Sequence, residues 1–167
     1  MGGYVTAPLC RPSLGSLAGG LYPHQTGIRG NDPVMPTGKK PTRKNPGDKE
    51  LWAKMRKRMM APFAKQPSFI KQLMANGYAT LQTGKWWEGN PLDHGFTDAM
   101  THGDVSRGGR HGDEGLKIGR ETMKPIYDFV DKAQAKEQPF FISYGVFLLK
   151  KTHDAPNRLH QQYNSPL

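Results

Sequence analysis

The chain has 167 residues, with 35% hydrophobic residues, 20 Gly, 14 Pro and a formal charge of +10 from 24 Lys plus Arg against 14 Asp plus Glu. That size allows one domain with its own core and excludes a large two-domain enzyme. The excess of positive charge favours an anionic partner, and a single cysteine excludes an internal disulfide.

No charged, apolar, small-residue leader follows Met1, so export is not expected to be encoded in the chain. The longest apolar run, Pro139–Leu149, is far short of the about 20 residues of a membrane span.

Residues 4–9 read as an extended segment delivering Cys10 to a turn. A short helix over about Pro12–Gly20 follows, with Pro12 in its first turn and paired glycines at its end. Residues 22–47, dense in Pro, Gly, Asn and Lys, read as a long loop. Asp48 caps a helix to about Ala61, with Leu51, Trp52, Met55 and Met59 on one face and basic residues on the other. Pro62 stops or kinks it. Nine of the 24 basic residues lie between Lys39 and Arg58, the spacing of a solvated loop and outer helix face.

Ser68 caps a helix over 69–75, and Gly77 stops it. Residues 78–83 form a short strand ending at Gly84-Lys85-Trp86-Trp87. The glycine-rich stretch 88–115, with three His, reads as loop. It contains His102-Gly103-Asp104 and His111-Gly112-Asp113, nine residues apart, whose imidazoles and carboxylates either hold a metal or lie exposed. A long helix is expected over about 116–135, with Pro125 kinking it or marking its true start. Residues 139–147 read as a buried strand. Strand, helix and strand in this order predict an α/β domain with a largely parallel sheet flanked by helices.

Ligands of open α/β sheets bind beyond the carboxyl ends of strands, where Cys10, Lys85 and the 150–153 segment are expected to place polar groups. A helix opening just after Cys10 offers unpaired N–H groups to a sulfate or phosphate oxygen. Lys85 would pair with the same anion as a point charge, and His153 would protonate a leaving oxygen. The plainer readings are a structurally buried thiol, a lysine stem laid on two Trp rings, and a turn histidine.

Three segments together resemble the sulfatase family. Cys10-Arg11-Pro12-Ser13-Leu14 is similar to the Cys-x-Pro-Ser-Arg signature, Gly77-Tyr78-Ala79-Thr80 through Gly84-Lys85-Trp86-Trp87 to the second signature, and 139–156 to the strand and loop carrying a His-x-Pro-His motif. The resemblance covers most of the chain. It implies a partial alkaline-phosphatase-like α/β fold spanning residues 1–167 and hydrolysis of sulfate esters, sulfated carbohydrate among them. It also implies Cys10 as a formylglycine nucleophile made by a formylglycine-generating enzyme, Lys85 as a sulfate-binding lysine and His153 as the matched histidine. A calcium ion, touched by Cys10 only as formylglycine, is the implied cofactor.

The sequence departs from the pattern at Leu14 (Arg in the signature), Trp87 (His) and Lys150 (the first His of the third motif). The Asp-Asp and Asp-Asn metal-ligand pairs have no counterpart, so the expectation is a truncated N-terminal piece, inactive alone. The alternatives are a non-catalytic binder of sulfated or other polyanionic polymer and a phosphoesterase of the same superfamily. Nucleic-acid binding is disfavoured because aromatics are sparse between residues 39 and 58.

Overall fold

The computed structural model describes residues 4–36, 46–109 and 111–146. Among the described residues strand β1 (Ala79–Gly84) lies at the centre of a three-stranded sheet, between β2 (Asp98–Ala99) and β3 (Phe140–Gly145), in the order β2-β1-β3. Both pairings are parallel, with Thr80 opposite Phe141, Leu81 opposite Ile142 and Leu81 also opposite Asp98. This is the α/β arrangement that the order of elements predicts.

Among the described residues five α-helices surround the sheet: α1 (Cys10–Gly19), α2 (Pro23–Thr26), α3 (Pro46–Lys65), α4 (Phe69–Ala75) and α5 (Lys124–Gln134). Side chains alternate across a strand, so the two faces of β1 belong to different cores. On one face Leu81, Ala79 and Ile142 meet Phe129, Ala133 and Ile126 of α5. On the other, Phe141 packs against a cluster formed by Ala18 of α1, Phe63 of α3, Ile70 of α4, and Ile28, Trp86 and Phe96. Each large side chain fully buried there contributes about 1.5–3 kcal/mol.

All six residues of β1 are buried although half are polar. Each polar side chain has a partner: Thr80 Oγ1 donates to the Gly95 carbonyl (2.7 Å), Gln82 Nε2 to Gly84 (3.0 Å) and Thr83 Oγ1 to Ser143 (2.9 Å). A polar central strand is tolerated because each of its buried polar side chains is hydrogen-bonded.

Several boundaries differ from the sequence reading. Helix α1 opens at Cys10 itself, and the segment before it contains no strand among the described residues. Helix α3 runs through Pro62 to Lys65, held by Phe63, which lies in the core against Trp86. The 88–115 stretch contains β2 and 3-10 turns at Pro91–His94 and Val105–Arg107. The helix expected over 116–135 shrinks to α5, because Pro125 sits in its first turn, where a missing N–H costs nothing. Strand β3 is half-exposed, with Tyr144 46% accessible, because only one of its edges is paired among the described residues. No helix among the described residues is long and apolar enough to cross a membrane.

His94 closes the core beneath the 3-10 turn, its ring 5.2 Å from Phe63 and 5.8 Å from Trp86. Its Nε2 must carry the proton, since it donates to the Glu88 carbonyl at 2.7 Å. Burial holds its pKa below the ordinary 6.5. The unfolded imidazole therefore binds a proton at a pH where the folded one does not. Stability should fall as the pH drops from 6.5 towards the folded value, by up to about 1.4 kcal/mol per pH unit. Urea midpoints measured across that window should show this slope, and His94→Phe should flatten it.

Candidate active site

The site forms where β1 ends. Gly84 takes a left-handed backbone (φ 75°), and Lys85 N–H then bonds the Gly145 carbonyl at 2.9 Å, turning the lysine out of the sheet. Its ammonium reaches the first residue of α1. Lys85 Nζ donates to Cys10 Sγ at 3.2 Å, joining residues 75 apart in sequence. The thiol is half-buried. The structure thus brings together two of the three residues singled out by the motifs, while His153 and Lys150 lie outside the described residues.

The mouth of α1 is less open than the sequence suggests. Arg11 N–H is already satisfied by Asn31 Oδ1 at 2.9 Å, and Pro12 has no N–H to offer. An anion at Cys10 would rely on the Lys85 ammonium more than on a cradle of free amides.

Beneath this contact runs a buried ion pair that the motifs do not mark. Arg11 Nε lies 2.6 Å from Glu88 Oε1 and Nη2 2.7 Å from Oε2, both side chains almost wholly excluded from solvent. The guanidinium also donates to the carbonyls of Met59 (3.1 Å) and Gly30 (3.5 Å). Arg56, on the same face of α3 as Met59, donates from Nη2 to the Trp87 carbonyl at 3.0 Å. Burial pushes the Glu88 carboxyl above its ordinary 4.5, against the opposing pull of the Arg11 hydrogen bonds and of the Arg11 and Arg56 charges. The available signal was a charge beside each motif residue, Arg11 after Cys10 and Glu88 three past Lys85.

The two His-Gly-Asp segments brace each other across the loop. His102 Nε2 pairs with Asp113 Oδ2 at 2.9 Å, and that oxygen also accepts the His102 N–H at 3.1 Å. His102 Nδ1 accepts from Asp104 N–H at 3.0 Å, while Asp104 Oδ1 turns to Ser106, whose hydroxyl and N–H hold the carboxyl pKa down. His111 presents its ring to Trp87 at 5.2 Å, and its carbonyl accepts from Trp86 N–H. These contacts tie the loop together. Among the described residues no three His, Cys, Asp or Glu side chains gather into a metal site.

Leu14, one helical turn beyond Cys10, lines a groove of about 540 Å³ with Val5, Leu17, Leu21 and Tyr22. It supplies no charge to the thiol.

A family model described as Sulfatase matches residues 2–165. The chain belongs to the sulfatase family. Comparison with curated proteins finds no match. Membership agrees with the parallel sheet flanked by helices and makes the chain a member of a hydrolase family. Sulfatases are generally metal-dependent, but the described residues do not fit a hard dication: no three His, Cys, Asp or Glu side chains gather among them, and Cys10 Sγ meets the Lys85 ammonium.

Proposed function

We propose that the Cys10–Lys85 contact is a sulfate-ester site, in which Cys10 acts after conversion to formylglycine and the family reaction is hydrolysis of the ester. The observation that supports this is the 3.2 Å approach of Lys85 Nζ to Cys10 Sγ, a contact between residues of the first two motifs. In the hydrolysis, an oxygen of the hydrated aldehyde attacks sulfur and the S–O bond to the alcohol breaks; the second hydroxyl of the hydrate, losing its proton, then expels sulfate to restore the aldehyde, which water rehydrates. Lys85 would neutralise the charge carried by the sulfuryl oxygens, and His153 would return a proton to the leaving alkoxide. Arg11 takes no part in holding sulfate, because its donors are committed to Glu88, Met59 and Gly30.

Leu14 leaves the converting enzyme without the arginine of the signature. Coexpressed with a formylglycine-generating enzyme, the chain should retain Cys10 as a thiol and release little or no sulfate from an aryl sulfate. Leu14→Arg should yield the aldehyde, read by mass spectrometry of the Cys10 peptide. On that background Lys85→Met should weaken aryl-sulfate binding about 10- to 100-fold, the loss of one charge-assisted contact. An aldehyde-bearing chain that binds aryl sulfate equally well with and without Lys85 would end the proposal.

A second reading has support of its own. Lys54, Lys57, Arg58 and Lys65 are exposed along α3, a basic stripe suited to a sulfated polymer. Binding through it would survive Lys85→Met and fall steeply with salt.

A further inference from the structure

We propose that the buried Arg11–Glu88 pair is a positioning clamp, whose task is to hold Cys10 and Lys85 in contact. The clamp residues adjoin the pair they serve: Arg11 follows Cys10, and Glu88 lies three residues past Lys85. Among the described residues no backbone hydrogen bond joins residues 9–14 to residues 84–90. The two segments are tied instead by two side-chain bridges, Lys85 to Cys10 and Arg11 to Glu88. Only the second is fully buried and two-pronged. A forked guanidinium on a carboxylate fixes orientation as well as distance, whereas an ammonium on sulfur fixes only distance.

Helix α3 supplies the third leg. Arg11 Nη2 donates to the Met59 carbonyl, and Arg56, one turn earlier, donates to the carbonyl of Trp87, the neighbour of Glu88. Both motif segments are therefore pinned to one face of one helix. A buried ion pair contributes little net stability compared with an apolar pair of the same volume, so its geometry can be tested apart from its energy.

The inference deepens the reading of Cys10 and Lys85 as the reacting pair, yet its test requires neither sulfate nor an aldehyde at residue 10. Phthalaldehyde condenses with a neighbouring amine and thiol, losing two waters, to give a fluorescent isoindole. The full chain should form one, mapped by peptide mass to Cys10 and Lys85, and Lys85→Met should abolish it. In the double variant Arg11→Met/Glu88→Leu, once circular dichroism establishes that it melts cooperatively, the rate should fall at least about tenfold, as expected when reacting groups drift by an ångström. Glu88→Gln keeps the shape without the charge and should also react more slowly. A wild-type rate in either folded variant overturns the clamp, as does the absence of a Cys10–Lys85 isoindole in the parent chain. Failure of aryl-sulfate binding would leave these outcomes unchanged, so the two proposals fail separately.

Discussion

Glu88→Ala is expected to destabilise the fold by about 3–5 kcal/mol at neutral pH, measured as a shift in the urea midpoint at constant slope. The substitution removes both oxygens that face Arg11 and leaves a guanidinium fully enclosed with only carbonyl partners. The expense arises from the stranded charge rather than from the lost bond. Removing both charges in Arg11→Met/Glu88→Leu should therefore be far milder than removing one. The Glu88 carboxyl, raised by burial, makes a pH contribution opposite in sign to that of His94. Its stabilising share is complete below 4.5 and declines as the pH rises through the folded value.

Gly84→Ala should be at least as damaging, by roughly 3 kcal/mol or more. The residue's φ of 75° already disfavours a side chain, and a Cβ there would overlap the Gly145 carbonyl on the neighbouring strand. That carbonyl accepts the Lys85 N–H, so the strand end cannot yield without releasing the lysine. The variant should lose thermal stability and, in whatever fraction remains folded, lose the Cys10–Lys85 isoindole. Gly77→Ala is the matched control: its φ is 83°, but open space surrounds its missing side chain, so only the backbone cost of about 1–2 kcal/mol applies.

Elements with local punctuation were legible in the sequence. Helix α4 lies where Ser68 and Gly77 place it, with Ser68 Oγ accepting the Ile70 N–H. Strand β1 follows one residue later than expected, and Lys85 leaves its carboxyl end as the motif order requires. Features decided by distant neighbours were not legible. Asp98–Ala99 is a strand only because β1 lies alongside, and two residues carry no period of their own. Residues 116–123 have the apolar content of a helix, yet turn back at Ile118 and Thr122 and leave α5 to begin at Lys124. The polar interior of β1 depends on carbonyls of Gly95 and Ser143, which no window of a few residues can reveal. Arg11 and Glu88 look like ordinary surface charges until the fold encloses them.

The sheet's connectivity also bears on how the molecule comes to exist. Thr83 and Ser143 pair across sixty residues, and a parallel ladder cannot be closed by a tight turn. The middle strand must wait for a segment synthesised long after it to complete its hydrogen bonds. Such delayed closure makes folding slow relative to chains rich in local contacts, and it exposes the unfinished ladder to other molecules during the interval.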